Sequence, residues 1–338
     1  MIQTILNTLF VQTQGAYLHL EHDTVKVEAE KELLLQIPLH HLSGIAVFGN
    51  VLISPFLLHR CARDGRDVVW FNIHGRFQGR LAGPIAGNVM LRTAQYEKSG
   101  KTETALLLAK RFVEGKIRGA SNVLKRGYRD YGDEYLKKIS GELTHSLHTL
   151  SGKETINAIR GVEGMAANYY FSAFAKLIRV PQFTFIGRIK RPPRDPVNAV
   201  LSFTYTLLAN DCASALEAVG LDPQVGFLHA LRPGKPSLAL DLMEEFRAAF
   251  ADRLVLTLLN RQQLQVDDFD ERPGGSVLLN EKGRKSLLVA YQKRKQEEVA
   301  HPLFKKHIAI GQLPYVQARL LARYVRGDLD DYRPYRWR

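Results

Sequence analysis

One short segment of the sequence, SLALDLMEEFRAAF, places three acidic residues close together: Asp241, Glu244 and Glu245. Ser237 follows a proline and is expected to cap a helix that runs through this segment. At about 100° per residue, the acids share one side of that helix, opposite an apolar stripe of Leu242, Met243, Phe246 and Phe250. No basic residue follows Glu244 or Glu245 at the i+4 position, and along the helix only Arg247, three residues after Glu244, could relieve the repulsion among the acids. A bound divalent cation would relieve it, and a solvated acidic face is the alternative.

A histidine and a basic turn precede these acids. His229 ends the apolar run VGFLH, and the turn RPGKP that follows carries Arg232 and Lys235. The turn presents two cations near both the histidine and the acids, as a phosphodiester substrate would require. The alternative is an ordinary hydrogen-bonded histidine, which is the more frequent role of a histidine beside an apolar run.

A glutamate lies on the apolar face of a second expected helix, SGKETINAIRGVEGMAANYYFSAF, whose N-cap we assign to Ser151. Glu163 shares an arc with Ile159, Ala166, Ala167 and Tyr170. An acid on such a face is costly to bury unless it is paired or bound to a metal ion. Two alternatives stay open: another helix packs against the small residues with Glu163 at the edge, or Glu163 pairs locally with Arg160.

A basic segment, GRIKRPPRDPVNAV, connects an extended region to a third helix. The Pro-Pro step must be extended, and Asp195 and Pro196 then begin the helix as its N-cap and first-turn proline. The cations around the Pro-Pro step are Arg188, Lys190, Arg191 and Arg194. Such a segment suits contact along a DNA strand, and a solvated loop between helices is the alternative.

The composition favours a globular protein with a polyanionic partner. The chain has 338 residues, 45% of them hydrophobic, and a formal net charge of +13. This length suits two domains, and the excess of Lys and Arg favours nucleic acid as the partner over an acidic membrane surface. Because no apolar run approaches the roughly 18 residues of a membrane-spanning helix and the start lacks a basic signal-peptide region, we expect a cytoplasmic protein that does not bind membranes. Cys61 and Cys212 lie in apolar contexts and are expected to be reduced core thiols.

Hydrophobic periodicity divides the chain into two parts. Residues 1–88 carry short alternating segments typical of a β-sandwich or meander, with one helix that has Ser54 as N-cap, Pro55 in its first turn and Gly65 at its end. The period then becomes helical. We predict an α+β fold, with an N-terminal β-sandwich domain followed by a mainly α-helical catalytic domain at 89–338. For the basic, aromatic tail DYRPYRWR, a frayed terminus is favoured over an arm that binds phosphate and stacks on bases.

Three segments in this order and spacing, GVEGMAANYYF, RPPRDPVNAVLSFTYTLL and GFLHALRPGKPSLALDLMEEFR, resemble the CRISPR-associated endonucleases that act as the spacer-acquisition integrase of bacterial adaptive immunity. The resemblance implies a Mn²⁺ or Mg²⁺ site with Glu163, His229 and Glu244 as metal ligands, and their nitrogen and oxygen donors suit those metals. It implies that Asp241 completes the catalytic set by orienting a ligand or filling the coordination shell. Glu245 is left as an acid beside the site or in solvent.

The family chemistry implies a DNA substrate. In its integration step, the 3′-hydroxyl of a captured double-stranded DNA fragment attacks a phosphodiester at the border of the repeat DNA. The same site is expected to cleave branched DNA, by the reverse reaction or with water as the nucleophile. Arg188, Arg191, Arg232 and Lys235 are the candidate phosphate contacts.

The family also implies partners: a homodimer formed through the β-sandwich, a small second adaptation protein around whose dimer two such dimers assemble, and in some subtypes a nuclease-like partner that trims the incoming DNA. Two other functions stay open. One is a metal-dependent nuclease that does not integrate, and the other is a DNA-binding assembly subunit whose chemistry a partner supplies. A requirement for a free 3′-hydroxyl distinguishes an integrase from a plain nuclease.

Overall fold

The computed structural model describes residues 7–83 and 89–337. The first of these ranges forms two four-stranded sheets and one helix, α1, at Pro55–Arg63. The strands are β1 (Thr8–Val11), β2 (Tyr17–Glu21), β3 (Thr24–Ala29), β4 (Glu32–Pro38), β5 (Gly44–Phe48), β6 (Leu52–Ile53), β7 (Asp67–Phe71) and β8 (Phe77–Arg80). The predicted domain boundary after residue 88 adjoins 84–88, which lie outside the described residues.

The two sheets face each other across a small apolar core. One has the strand order β1-β5-β7-β8 and the other β4-β3-β2-β6. Leu18, Val25 and Val27 of the second sheet share this core with Ile45, Val47 and Val68 of the first. The β-sandwich is therefore confirmed, whereas a meander is wrong because β1, β5 and β7 are parallel neighbours, which require crossover connections.

The helix α1 begins where its capping residues predict. The Ser54 hydroxyl accepts a hydrogen bond from the backbone N–H of Leu57 at 3.2 Å, Pro55 is the first helical residue, and Gly65 just beyond the end has φ +65°. Ser54 satisfies one of the free N–H groups of the first turn, and the glycine adopts a left-handed conformation without strain.

The second range is mainly helical, as predicted, so the α+β fold class is confirmed. Its helices are α2 (Val89–Gly100), α3 (Thr102–Tyr131), α4 (Glu134–Ser151), α5 (Ile156–Phe174), α6 (Pro196–Ala218), α7 (Ser237–Met243), α8 (Arg253–Asn260), α9 (Glu281–Gln296) and α10 (Leu313–Arg326). Two antiparallel strand pairs accompany them: β9 (Phe269–Arg272) with β10 (Ser276–Leu279), and β11 (Glu298–Ala300) with β12 (His307–Ala309). Among the described residues, no helix has both the length and the apolarity to cross a membrane.

The first sheet connects the two parts because both of its faces are buried. Side chains that alternate with those of the sandwich core, Ala46, Phe48, Val69 and Phe71, join the large core of the helical part. The ring of Phe48 stacks at 4.9 Å from that of Phe71 and at 6.1 Å from that of Phe203 on α6. The period of two along each strand thus divides its residues between two cores.

Two of the three cap predictions for the helical part are wrong. Asp195 caps α6 as predicted, accepting from the N–H of Asn198 at 2.8 Å. Ser151 instead ends α4, with its hydroxyl donating to the carbonyl of His148, and Thr155 caps α5. The Ser237 hydroxyl donates to the carbonyl of Ala230 and caps nothing.

The predicted continuous helix through SLALDLMEEFRAAF is also wrong. The helix α7 ends at Met243, residues 244–246 form a turn, and 247–252 form a π-helical turn before α8. Hydrogen bonds between residues three apart close the turn at 244–246; the N–H of Phe246, for example, donates to the carbonyl of Met243 at 2.9 Å. Wide π-helical turns within helices frequently accompany functional sites, because they redirect the side chains beside them.

The C-terminal tail is packed in the interior, so the expected frayed terminus is wrong. Tyr332, Tyr335 and Trp337 are buried. The Arg111 guanidinium on α3 binds both carboxylate oxygens of Asp331, at 3.0 and 2.7 Å. Aromatic side chains, which bring a large apolar area with a polar atom at one end, allow this otherwise basic tail to be buried.

The contact between the β7–β8 hairpin and α6 can be tested at one glycine. Gly75 has φ +79°, and a Cβ added there would lie 2.0 Å from the Phe203 ring. We expect Gly75→Ala to lower the free energy of unfolding by about 2 kcal/mol or more, from the positive φ and from overpacking. Chemical denaturation measures this. The control is Gly79→Ala on β8, where nothing lies within 4 Å; an equal loss in both variants would contradict the proposed contact.

Candidate active site and metal-binding residues

Two of the predicted metal ligands come together around one lysine. The Lys116 ammonium group, from the middle of α3, donates to Glu163 on α5 and lies 2.9 Å from Oε2 of Glu244. Glu244 is buried, and Glu163 keeps about a quarter of its side chain exposed (26%). Two carboxylates from separate elements therefore share one cation, which offsets their mutual repulsion.

Glu244 has a second cationic partner in Arg247. The Arg247 guanidinium donates from Nη1 to both oxygens of Glu244, at 2.9 and 3.1 Å, and lies over the ring of Tyr205 at 4.4 Å. The Tyr205 hydroxyl donates to buried Asp252. Burial acts to raise the pKa of Glu244, but Arg247 and Lys116, with His229, outweigh it and hold that pKa below its ordinary value. Glu244 is therefore ionised at neutral pH.

The Asp241 carboxylate binds both the ring and the backbone of His229. One oxygen of the Asp241 carboxylate accepts the N–H groups of Phe227 and Leu228, at 2.6 and 2.9 Å. The other lies 2.6 Å from Nδ1 of His229 and accepts the N–H of the same residue at 2.9 Å. A carboxylate at Nδ1 favours the tautomer that leaves Nε2 as a free lone pair, the usual state of a metal-binding histidine. Both Asp241 oxygens are engaged, so Asp241 positions His229.

A glycine makes this arrangement sterically possible. A Cβ at Gly226 would lie 2.7 Å from an oxygen of Asp241 and equally close to the backbone of Ser237. The loop before His229 can therefore approach the start of α7 only without a side chain at this position. The close approach is what allows three successive backbone N–H groups of the loop to point at one carboxylate.

The side chains of Glu163, Glu244 and His229 fit a divalent cation if that cation displaces the Lys116 ammonium group. Within residues 7–83 and 89–337 as they are arranged here, no three carboxylate, imidazole or thiolate side chains are grouped to hold a metal ion. In the case of Glu163 and Glu244, the Lys116 ammonium group fills the space between the two carboxylates. A cation already occupies the space that Glu163 and Glu244 share, and His229 is near enough to lower the pKa of Glu244. Carboxylate oxygens with an imidazole nitrogen suit Mn²⁺ or Mg²⁺.

Three of the four predicted phosphate contacts lie in one cationic region. Arg191 and Arg232 are exposed, and the charges of both, with that of Arg160, act on Lys235. Burial and the repulsion of Arg232 lower the pKa of Lys235, with smaller contributions from Arg160 and Arg191. A set of cations that repel one another favours a bound polyanion.

Arg188 has intramolecular partners that the sequence did not predict. Its guanidinium donates to the carbonyl of Ile189 and the side chain of Asn198, at 2.8 and 2.7 Å, and to the Ser202 hydroxyl at 2.9 Å. It also lies over the ring of Tyr205. These contacts tie the basic segment to α6, so Arg188 shapes that segment rather than presenting a free cation to solvent.

Sequence reasoning missed Lys116 and misjudged Glu245. The alternative pairing of Glu163 with Arg160 is wrong, because Arg160 donates to the carbonyl of Leu228 and to Asn157. Gly115, next to Lys116, was the signal available in the sequence, since a small residue on a helix indicates that another segment packs closely against that position. Glu245 is buried rather than solvated, and burial raises its pKa to about 7.

Comparison with known proteins identifies the family. Residues 9–293 match the family described as CRISPR associated protein Cas1. The chain is 49% identical to CRISPR-associated endonuclease Cas1 1 of Moorella thermoacetica, with 99% of each chain covered. Its fold matches a casposase bound to an integration product (TM-score 0.86, 23% identity, 98% of this chain and 94% of that chain). It also matches a Cas6-RT-Cas1–Cas2 complex (TM-score 0.82, 21% identity, 99% of this chain and 37% of that chain).

The fold and these matches together define the class of the protein, a CRISPR-associated endonuclease, and therefore an enzyme. Within that class, the chain belongs to the Cas1 family. The resemblance drawn from three sequence segments is confirmed.

The shared cation position can be tested by removing Lys116. Lys116→Met leaves Glu163 and Glu244 without the cation between them, so we expect a loss of stability in EDTA of up to about 3 kcal/mol. Mn²⁺ should then raise the Tm of the variant more than that of the wild type, because binding no longer requires displacement of the lysine. Thermal unfolding with and without Mn²⁺ measures both effects.

Lys125→Met is the matched control, since Lys125 is an exposed residue of the same helix. It should respond to Mn²⁺ as the wild type does. Equal Mn²⁺ responses in Lys116→Met and the wild type would show that the lysine does not occupy the metal position.

Proposed function

We propose that this chain is a divalent-cation-dependent DNA endonuclease and integrase that inserts captured DNA fragments into the CRISPR array. The observation that carries the proposal is the pair of carboxylates, Glu163 and Glu244, around one cation position with His229 nearby. The fold adds support, since it is shared with a casposase bound to an integration product. We propose Glu163, His229 and Glu244 as metal ligands and Asp241 as the residue that positions His229.

The chemistry is a displacement at phosphorus. The 3′-hydroxyl of the captured fragment attacks a phosphodiester at the repeat border in line with the leaving oxygen; one P–O bond forms, one breaks, and a proton passes from the attacking to the leaving oxygen. Mn²⁺ or Mg²⁺, when bound, supplies positive charge for the phosphoryl oxygen and the leaving oxygen. Asp241 keeps Nε2 of His229 directed at the site, and Arg247 holds Glu244 ionised.

The proposed DNA surface follows the cations. Arg191, Arg232 and Lys235 would contact phosphates, and Arg160 adds positive charge near Lys235 while its guanidinium binds the Leu228 carbonyl and Asn157. Arg188 would act indirectly, by holding the basic segment against Asn198 and Ser202. The net charge of +13 makes long-range attraction of duplex DNA strong at low salt and weaker as salt rises.

We propose partners of two kinds. Residues 1–88 would form a homodimer, and the assembled dimers would bind a small second adaptation protein. The fold match to a chain of a Cas6-RT-Cas1–Cas2 complex supports the second partner. A nuclease-like trimming partner stays a proposal from the family alone. We also propose that the protein acts in the cytoplasm, where buried, unpaired thiols such as those of Cys61 and Cys212 persist.

The exposed leucines of β4 support the dimer. Leu33, Leu34 and Leu35 are consecutive, and all three are exposed. They lie on β4, which is an edge strand of its sheet. Leu35 pairs with Val27 and Leu33 with Glu28, and the register irregularity between these pairs places the two leucines on opposite faces, so both faces of this edge are apolar. An apolar edge strand invites pairing with another chain, and a second copy would cover it.

Glu163 gives the direct test of the proposed chemistry. We expect Glu163→Gln to reduce joining of a short duplex to a repeat-bearing plasmid by about 100-fold or more, because it removes one charged ligand of the cation. Duplex DNA affinity should stay within about twofold, since the substitution removes none of the proposed phosphate contacts. A strand-transfer assay and a DNA-binding titration measure the two quantities.

Glu103→Gln, at an exposed position in the first turn of α3, is the matched control and should leave joining unchanged. Duplexes with blocked 3′ ends should not be joined by the wild type. Cleavage that ignores the 3′ end would favour a nuclease that does not integrate, and undiminished joining by Glu163→Gln would remove that residue from the metal site.

The dimer is tested on β4. We expect Leu33→Asp combined with Leu35→Asp to convert the protein from a dimer to a monomer. The mass in solution should fall from twice 38.2 kDa to 38.2 kDa. Light scattering measures the mass. The control is Val289→Asp on α9, an equally exposed apolar residue that should leave the dimer intact. A double variant that stays dimeric would exclude β4 from the interface.

A further inference from the structure

The C-terminal tail, residues 328–337, packs directly behind the turn that carries Glu244. It follows α10, and three of its aromatic side chains are buried. Its partner in that turn is Glu245, which is 1% exposed. Glu245 takes no part in the proposed metal site, so its burial next to a metal ligand requires a separate explanation.

The tail and α10 satisfy the whole carboxylate of Glu245. The Tyr332 hydroxyl donates to Oε1, while the backbone N–H of Tyr335 and the Gln317 amide donate to Oε2 at 2.8 and 2.9 Å. The indole N–H of Trp337 donates to the backbone carbonyl of Glu245 at 3.1 Å. Four donors thus fix both the side chain and the backbone of one residue of the turn, at a point where α7 has ended.

The tail is itself anchored on α3, the helix that carries Lys116. Asp331 binds Arg111, and Arg336 lies 3.0 Å from Glu114. A Cβ at Gly115 would lie 3.0 Å from Glu245 and 3.1 Å from Pro334 of the tail, so the tail, the turn and α3 meet at this glycine. The neighbours of Gly115 and Glu245 in sequence, Lys116 and Glu244, are the pair that meets in the site.

We propose that the C-terminal tail is a positioning element that holds Glu245 and thereby fixes the direction of the neighbouring Glu244 carboxylate in the metal site. Glu245 and Trp337 would be positioning residues, since they bind each other and would act on the metal only through the neighbouring Glu244. Backbone hydrogen bonds close the turn, and the tail adds the contacts that fix the Glu245 side chain and carbonyl. This inference rests on the proposed function of Glu244 as a metal ligand.

The inference is tested by Mn²⁺ binding, measured from the loss of the free-Mn²⁺ EPR signal, together with joining activity as a function of Mn²⁺ concentration. Glu245→Leu removes the carboxylate that accepts from Tyr332, Tyr335 and Gln317, and we expect about 10–100-fold weaker Mn²⁺ binding, the usual effect of losing a group that orients a ligand. Duplex affinity in EDTA should stay within about twofold. Saturating Mn²⁺ should restore much of the joining activity.

Two further variants separate positioning from a general loss of structure. Glu245→Gln keeps an oxygen for Tyr335 and Gln317, and its amide can donate to the Tyr332 hydroxyl, so Mn²⁺ binding should stay within about threefold of the wild type. Trp337→Phe keeps an aromatic side chain but replaces the indole with a smaller ring that lacks the N–H, and should weaken Mn²⁺ binding in the same direction as Glu245→Leu. If Glu245→Leu fails to fold, Trp337→Phe decides the question.

Arg333→Ala is the matched control within the tail, because its side chain is exposed and only its backbone carbonyl takes part in the hydrogen bonds of the tail. It should bind Mn²⁺ as the wild type does. Unchanged Mn²⁺ binding in folded Glu245→Leu and Trp337→Phe would overturn the inference while leaving the proposed function intact. A wild type that binds no Mn²⁺ would instead overturn the proposed function, and the inference with it.

Discussion

The arrangement of the site depends on the repulsion between two carboxylates, which a cation between them offsets. Glu163 and Glu244 come from different elements, and Glu244 is almost completely buried, so neither water nor distance relieves their repulsion. A buried charge without a partner is costly enough to change its protonation or to move. In this arrangement the Lys116 ammonium group meets that need. A divalent cation would meet it with more charge, and this is why we propose the same position for the metal.

The surrounding structure holds these two charges in place from several sides. Arg247 binds Glu244, Asp241 holds the loop of His229, and the tail fixes the turn through Glu245. The elements involved are distant in sequence, and their convergence depends on the close packing of α3, α5 and α6 that the large apolar core provides. The first sheet extends that core into the N-terminal part, so the β-sandwich and the catalytic part are connected through shared packing.

Local chemistry explains which features the sequence predicted. Ser54 and Asp195 cap helices because each is followed by a proline that begins the helix and leaves no competing hydrogen bond. Ser151 and Ser237 have the right residue type, but the Ser151 hydroxyl binds a carbonyl of its own helix and the Ser237 hydroxyl binds a carbonyl of the preceding loop. The break after Met243 and the burial of the tail depend on contacts between Glu245 and residues about ninety positions away. Periodicity along a helix cannot register such contacts, and for the same reason it could not connect Lys116 with Glu163.

The most direct test of the central claim is the position of Mn²⁺ in crystals of the wild-type protein, located by anomalous scattering. The account predicts a peak between Glu163 and Glu244, within coordination distance of Nε2 of His229, with the Lys116 ammonium group displaced. Asp241 should remain bound to Nδ1 of His229 and outside the coordination shell. A Mn²⁺ ion bound elsewhere in a crystal whose Lys116 still joins the two carboxylates would contradict the account.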